Sequence, residues 1–460
     1  MTKNKIINHQ SSMVNGEPSA HFESLYPSDS RFTEIEKILK FVKAGNSAQL
    51  IGLPGVGRSN LLGLLAYNTD VRIKHLGESQ KWFHFVLCNF SEIRKKPLFE
   101  ATKFIFLSLV DSLRERRMDQ EYKVLDKIFK ESIVSNDELV LFQGLKRAID
   151  FLCIEKELTV VFLFDRFEEY ISEISTEFFA NLRILRNRAK YRLSVIFSLN
   201  RPLEDLIEPM LFADFYEFLA GNIIYLPLLD KPGLDFRISY LEKVSGKQFS
   251  NATIRAIIGL TAGHGKLTRL CAEAMLSNQE SGIRNQELEN FFLEQKSVAG
   301  ALYEIWYSLN PEEQKILVAN QLGTSSYLIN VGILKNEVIT IPLFASFVKE
   351  HGESVMEQLN NEAIRYDAIT NEIRKGNAVL SDSLTSSEFK LLKFLLENPD
   401  KIIEREDIIK SVWSDAKSTE GVTDQALDQL IFRLRKKIEE DPNNPKHLQT
   451  LKGRGIRFVS

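Results

Sequence analysis

The chain has 460 residues, with 59 Lys and Arg against 62 Asp and Glu for a net charge of −3, and 44% of its residues are apolar. That length predicts three or four globular domains with real cores, and no run reaches the roughly 18 apolar residues of a membrane helix. Cys88, Cys153 and Cys271 show neither metal-ligand spacing nor an even disulfide count, so reduced, buried thiols, no zinc site and a cytoplasmic location without a membrane partner are expected.

Residues 1–25 are polar and aperiodic and read as a mobile leader or a strap laid on the next domain. From Ser47 short apolar runs at 48–52, 82–89, 158–165, 193–200 and 223–229 alternate with longer helical stretches. This alternation predicts a parallel sheet covered by helices over 26–230.

The first run enters Gly52-Leu-Pro54-Gly55-Val56-Gly57-Arg58-Ser59, followed by an apolar helical stretch at 60–67. Such glycines let the backbone curl so that amides face a phosphate, and a helix N-terminus adds its positive dipole end. Gly52, Pro54, Gly55, Val56, Gly57, Arg58, Ser59 and Asn60 are therefore candidate contacts for ATP or ADP, with Ser59 a ligand for Mg2+. Arg58 stands where the P-loop pattern has Lys. It keeps the charge but is larger and planar, which favours binding over fast hydrolysis.

The third run ends in Asp165, a carboxylate at the C-terminal end of a buried strand, where it can hold Mg2+ beside the P-loop in the Walker B manner. Arg166 follows it, leaving Glu168 and Glu169 as candidate catalytic bases, with a solvated acidic turn as the alternative. The fourth run brings Asn200 and Arg201 to the same edge, either able to sense a γ-phosphate. Residues 231–298 read as a helical lid, in which His264, between Gly263 and Gly265, is a nucleotide contact or a structural turn residue. Residues 299–350 read as a small winged helix acting as a packing and switch element, and 351–378 as a helical connector to a domain at 379–460.

In that last domain Leu427, Leu430, Ile431, Leu434 and Ile438 recur at helical spacing as the buried stripe of a basic helix over 423–440. Gln425, Asp428, Gln429, Phe432, Arg433 and Lys436 fall on the other side. A hairpin over 448–459 holds Arg454 between Gly453 and Gly455, flanked by Lys452 and Arg457. From Gln429 to Ser460 eight Lys or Arg stand against three acids, a local excess of five positive charges in an acidic chain. Localised positive charge suits a polyanion. The candidate DNA contacts are Thr423, Gln425, Gln429, Phe432, Arg433, Lys436, Lys437, Lys452, Arg454 and Arg457.

Leu384-Thr-Ser-Ser-Glu-Phe-Lys-Leu-Leu392, Glu404-Arg-Glu-Asp-Ile-Ile409 with Val412-Trp413, the run from Leu427 to Ile438, and Asp441-Pro-Asn-Asn-Pro445 before Gly453-Arg454-Gly455 resemble the winged-helix output domain of OmpR/PhoB-type response regulators. The resemblance implies that the basic helix enters the major groove of double-stranded DNA, that the Arg454 wing reaches the adjacent minor groove or its phosphates, and that RNA polymerase is a partner. Leu430 and Phe432 depart from that family's polar or basic residues. Phe432 either touches a thymine methyl or packs on a neighbouring domain. The P-loop, Walker B strand, strand-end Arg201 and Gly-His lid resemble the STAND class of signal-transducing ATPases within the AAA+ group, over 30–350. Gly265 stands where that class has a proline. Its members imply a nucleotide-dependent homo-oligomer.

The expected fold is multidomain α/β plus α+β: a P-loop ATPase parallel sheet with helical lid, a small winged helix, and a C-terminal winged helix-turn-helix. The expected function is a nucleotide-regulated DNA-binding transcriptional regulator with nucleotide, rather than aspartyl phosphate, as its input. Two alternatives stay open. One is a DNA-anchored ATPase acting in replication, transposition or defence against foreign DNA, and the other a scaffold with a vestigial P-loop.

Overall fold

The computed structural model describes residues 21–228, 230–277, 287–319, 325–362, 364–368, 370–376, 378–413, 424–439, 441–451 and 453–459, with 353–362 described by backbone alone. Residues 1–20, Thr423 and Lys452 lie outside the described residues. The chain divides into two compact units, the first ending at Val348 and the second beginning at Lys349. Among the described residues no helix is long and apolar enough to cross a membrane.

The first unit is built on β1 (Ala48–Ile51), β2 (Phe83–Asn89), β3 (Thr159–Asp165), β4 (Leu193–Leu199) and β5 (Ile223–Tyr225). All pairings are parallel and the order is β2-β3-β4-β1-β5. Every residue of β1 and β4 is buried, which is why these strands read as continuous apolar runs rather than alternating ones. Their ends lie level, Ile51 beside Leu199 and Phe164 beside Phe197. The chain segments leaving β1, β3 and β4 are thereby gathered at one edge.

That edge is seated on rings. Phe90, Phe164, Phe167 and Phe197 meet edge to face with centroids 4.8 Å to 5.5 Å apart. Each such pair adds about 0.5–1.5 kcal/mol beyond simple burial, so Asp165, between Phe164 and Phe167, stands on a stiff base. Cys88, Cys153 and Cys271 are buried and unbridged, and burial pushes each thiol up to about 12.

The helix Arg58–Tyr67 buries Leu61, Leu62, Gly63, Leu64, Leu65 and Ala66, because it is covered on one side by the sheet and on the other by the start of the described chain. There the expected leader is a strap at residues 21–25. The turn Phe22–Leu25 packs on the helix, His21 stacks on Tyr67 at 3.5 Å, and the Asn68 amide donates to the carbonyls of Glu23 and Tyr26. Helices Lys231–Ser245, Asn251–Thr261 and Gly265–Ser277 follow the sheet. Beyond them come Lys296–Tyr307, Pro311–Val318 and Ser326–Asn330, then the antiparallel hairpin of β6 (Leu334–Lys335) and β7 (Val338–Ile339) and the helix Pro342–Glu362.

The expected helical connector at 351–378 is helical only to Glu362. After it β8 (Ile364–Asp367), β9 (Glu372–Lys375) and β10 (Ala378–Val379) form an antiparallel sheet in the order β10-β9-β8. Ile364 and Ile373 enter the same core as Leu391, Leu427, Leu434 and Phe458. Each of β8 and β9 buries a single residue, an alternation too short to stand out as a strand pattern.

The rest of the second unit comprises helices Ser386–Leu396, Arg405–Val412 and Asp424–Ile438 with β11 (Ile402–Ile403), β12 (Leu448–Leu451) and β13 (Gly455–Phe458), in the sheet order β11-β13-β12. The third helix stops short of the expected end at 440, because the Glu439 carboxylate turns to accept from the amides of Lys446, His447 and Leu448. That contact fixes the Asp441-Pro-Asn-Asn-Pro445 loop and with it the departure of the hairpin.

Candidate nucleotide site and nucleic-acid interface

The loop after β1 is shaped from its outer side. The Pro54 carbonyl accepts from His264 Nε2 at 2.9 Å, the Gly55 carbonyl from the Lys266 amide at 2.9 Å, and the Val56 carbonyl from Arg31 Nη2 at 2.8 Å. Gly55 has φ +80°, and a Cβ there would lie 2.6 Å from Lys266 Cβ, so both conformation and the close approach of the lid require glycine. Among the described residues no acceptor faces the amides of Gly55, Gly57, Arg58 and Ser59. These are the donors that a phosphate uses at a helix N-terminus.

His264 is fully buried, and both ring nitrogens are used by protein. The Leu267 amide donates to Nδ1, which leaves Nε2 as the donor to Pro54 and the ring neutral. Burial pushes its pKa down to about 4. The histidine expected to touch nucleotide thus touches the loop that would hold it.

At the sheet edge, Arg58 Nη2 lies 2.6 Å from Glu168 Oε1, with the two side chains 10% and 19% exposed. Glu169 points elsewhere, pairing with Arg94 and Arg166. Of the two candidate bases, only Glu168 reaches the P-loop. Asp165 is buried at the end of β3, and among the described residues four buried polar atoms on the P-loop helix, on β3 and the turn after it, and just past β4 have no hydrogen-bond partner: Arg58 Nη1, Glu168 Oε2, Asp165 Oδ1 and Asn200 Oδ1. An unsatisfied buried polar group costs about 1–3 kcal/mol. Four at the ends of neighbouring strands mark a place suited to a cation, phosphate oxygens and water. Ser59 is exposed on the first turn of the P-loop helix.

Arg201 faces another way. Its guanidinium pairs with Glu313, donates to the Ser308 carbonyl at 3.2 Å and lies 4.2 Å from the Tyr327 ring centroid. Tyr327 in turn donates to the Asn200 carbonyl at 2.7 Å. Glu313 also accepts from the Asn310 amide in the capping box of Pro311–Val318. One carboxylate therefore caps a helix of the small winged-helix segment and holds the strand-end arginine.

A cavity of about 210 Å³ opens beside the loop, lined among others by Tyr26, Arg31, Asn60, Asp230, Arg237 and Lys266. Apart from Asn60, these residues carry no local sequence signal. Arg31 shows the reason: its contacts are the carbonyls of Val56 and Pro227 and the Asp230 carboxylate, which only the folded chain brings together.

In the second unit Leu427, Leu430, Ile431, Leu434 and Ile438 are buried, and Gln425, Gln429, Phe432, Arg433 and Lys436 are exposed. Arg405 binds Asp424 at 2.9 Å and Asp428 at 2.6 Å, anchoring the start of the basic helix to the helix before it. Lys437 does not share the outward face. Its ammonium lies 2.6 Å from both the Glu388 carboxylate and the Ser383 carbonyl. Burial alone would raise the Glu388 pKa, but bonds from Lys437 and Thr385 outweigh it and hold the carboxyl below its ordinary range. On the hairpin Arg457 bonds Gln449 at 2.9 Å, and Arg454 is exposed at the tip. Gly455 lies so close to β11 that a Cβ would sit 2.2 Å from the Ile403 carbonyl oxygen.

Residues 381–458 match the family described as Transcriptional regulatory protein, C terminal. The Transcriptional regulatory protein KdpE of Mycobacterium tuberculosis (strain CDC 1551 / Oshkosh) is 35% identical over 105 residues, 22% of this chain and 45% of the relative. Protein PetR of Rhodobacter capsulatus is 30% identical over 141 residues, 30% of this chain and 59% of the relative. The chain spans about half the length of these curated relatives. Among solved structures, a Walker-type ATPase of Pyrococcus abyssi covers 73% of this chain and 99% of its own at 14% identity and TM-score 0.46. The Aeropyrum pernix ORC2 protein in its ADP form covers 85% and 97% at 12% identity and TM-score 0.40. Strand order and loop geometry carry the P-loop ATPase fold by themselves. The chain joins such a unit to a winged helix of the transcriptional-regulator type, while the narrower STAND class is an expectation that these comparisons do not reach.

Proposed function

We propose that this chain is a nucleotide-regulated DNA-binding protein, a transcriptional regulator in which ATP or ADP with Mg2+, held at the P-loop, sets the activity of the C-terminal winged helix. The observation that carries the proposal is a loop with free amides beside four unpaired buried polar atoms, in one chain with a transcriptional-regulator DNA domain.

In this reading the amides of Gly55, Gly57, Arg58 and Ser59 cradle phosphate oxygens. Ser59 and Asp165 hold Mg2+, which supplies charge neutralisation when bound. Arg58 neutralises phosphate once it leaves Glu168, and Glu168 then positions water. Gly52, Pro54, Val56, Asn60 and Asn200 shape the site, while His264 and Lys266 report loop geometry to the lid. Arg201 links the sheet edge to the small winged-helix segment through Glu313. Because one guanidinium cannot serve a carboxylate and a phosphate equally, the Arg58–Glu168 pair suits a switch better than a fast hydrolase. A nucleotide moves such a switch only by its differential affinity for the two states.

On DNA, Gln425, Gln429, Phe432 and Arg433 face base edges, while Lys436, Arg454 and Arg457 meet phosphates or the minor groove. Nucleotide-dependent homo-oligomers would multiply these contacts on adjacent sites, and a cytoplasmic location and an RNA polymerase contact accompany the transcriptional role. The test is DNA binding by the full chain on a selected-sequence pool, apo, with ADP and with a non-hydrolysable ATP analogue. Equal affinity in all three states overturns the coupling. Sedimentation that does not change with the analogue overturns the oligomer.

A further inference from the structure

The outward face of the basic helix carries one large apolar side chain among polar and charged ones. Phe432 is 42% exposed, whereas the other exposed side chains of that helix among the described residues are Asp424, Gln425, Asp428, Gln429, Arg433, Lys436 and Lys437. A docking surface for protein needs contiguous apolar area. The helical neighbours of Phe432 are instead Asp428 and Gln429 on one side and Arg435 and Lys436 on the other. The Lys436 ammonium sits 4.7 Å from its ring centroid.

A lone apolar group set among amides, cations and one carboxylate already paired with Arg405 at 2.6 Å is complementary to the floor of the major groove. The bases there offer donors and acceptors and one apolar feature, the C5-methyl of thymine, between two rows of phosphate. Resting on the DNA-binding reading above, we propose that Phe432 is a specificity-determining residue that selects thymine by its methyl group. Lys436 holds the ring from one side and reaches toward the flanking phosphate. Gln429, one turn earlier, is placed to contact a neighbouring base pair.

The test uses the full chain and the best duplex selected by it from a random pool. Each thymine is replaced in turn by deoxyuridine, which removes the methyl and keeps every hydrogen-bonding group. Wild type should lose affinity about fourfold at one or two positions, the equivalent of one buried methyl group at about 0.8 kcal/mol. Phe432→Ala should bind more weakly overall and show no deoxyuridine penalty at those positions, and Phe432→Leu should keep part of it. Because the ring is largely outside the core, both variants should melt with wild type, and DNA titrations of Lys436→Gln should retain the methyl effect.

Three results overturn the inference: no deoxyuridine penalty in wild type, the same penalty in Phe432→Ala, or a Phe432→Ala effect confined to the nucleotide dependence of binding, which would place the ring against another part of the chain. Failure of the DNA-binding reading looks different, since wild type would then enrich no sequence. Failure of nucleotide coupling alone would leave the deoxyuridine pattern intact in every nucleotide state.

Discussion

Replacing Glu168 with Gln asks whether the P-loop arginine is held in reserve. Arg58 and Glu168 are paired at 2.6 Å with 10% and 19% exposure. Removing one partner of a buried pair costs about 3–5 kcal/mol when the remaining charge is left unanswered. Glutamine keeps one acceptor and the site is partly wet, so about 2 kcal/mol is expected here. A phosphate meeting Arg58 must displace Glu168, and in the variant that competition is gone. The same 2 kcal/mol should therefore return as roughly 30-fold tighter binding of ADP or a non-hydrolysable ATP analogue. Titration calorimetry on the full chain measures it, with thermal unfolding of the apo protein as the control, because the free variant should melt earlier and recover with nucleotide. Any hydrolysis should fall in the same variant, separating affinity from turnover. Unchanged or weaker nucleotide binding would refute the competition.

Glu313→Gln should lower the stability of the first unit by about 2–4 kcal/mol, because Arg201 and Glu313 are 11% and 5% exposed and the buried guanidinium loses its counter-charge. A thermal unfolding shift worth under about 1 kcal/mol would mean that the pair does not hold the segment. His264 has a folded pKa of about 4 against about 6.5 unfolded. The unfolded state therefore binds more protons in between, and stability present above pH 6.5 is lost as pH falls toward 4, by about 3 kcal/mol from this group. His264→Asn should flatten the melting profile over that window, though buried His84, whose pKa burial and Arg116 and Arg72 push to about 3, keeps a residual slope. Parallel profiles would show that His264 does not titrate on unfolding. Arg454→Ala should weaken binding to all sequences and reduce the salt slope by about one. Lys437→Met should destabilise the second unit and leave the slope alone. Reversal of those two outcomes in salt titrations would exchange the roles of tip and helix.

What was legible in the sequence was chemistry confined to one segment. The loop from Gly52 to Asn60, Asp165 at a strand end, and the stripe from Leu427 to Ile438 each carry their whole pattern within a few turns of chain, and the structure keeps them on the expected elements. Roles that depend on a distant partner were silent. Arg201 reads as a free cation at a strand end because Glu313 lies 112 residues away, and Glu313 is fully explained by the helix it caps. Arg31 joins Val56, Pro227 and Asp230, and no spacing encodes that meeting. Lys437 is the instructive case. In the run Arg435-Lys436-Lys437 all three look equivalent to a polyanion, but successive helical residues point about 100° apart. Lys436 therefore stays outside beside Phe432 while Lys437 reaches Glu388 in a separate helix and Arg435 reaches the Leu448 carbonyl. Glu388, like Glu313, already had a complete local explanation as the N3 acid of a capping box with Thr385. A residue whose local role is satisfied gives no sign of a second one, so ion pairs built on capping acids are the contacts a single sequence hides best.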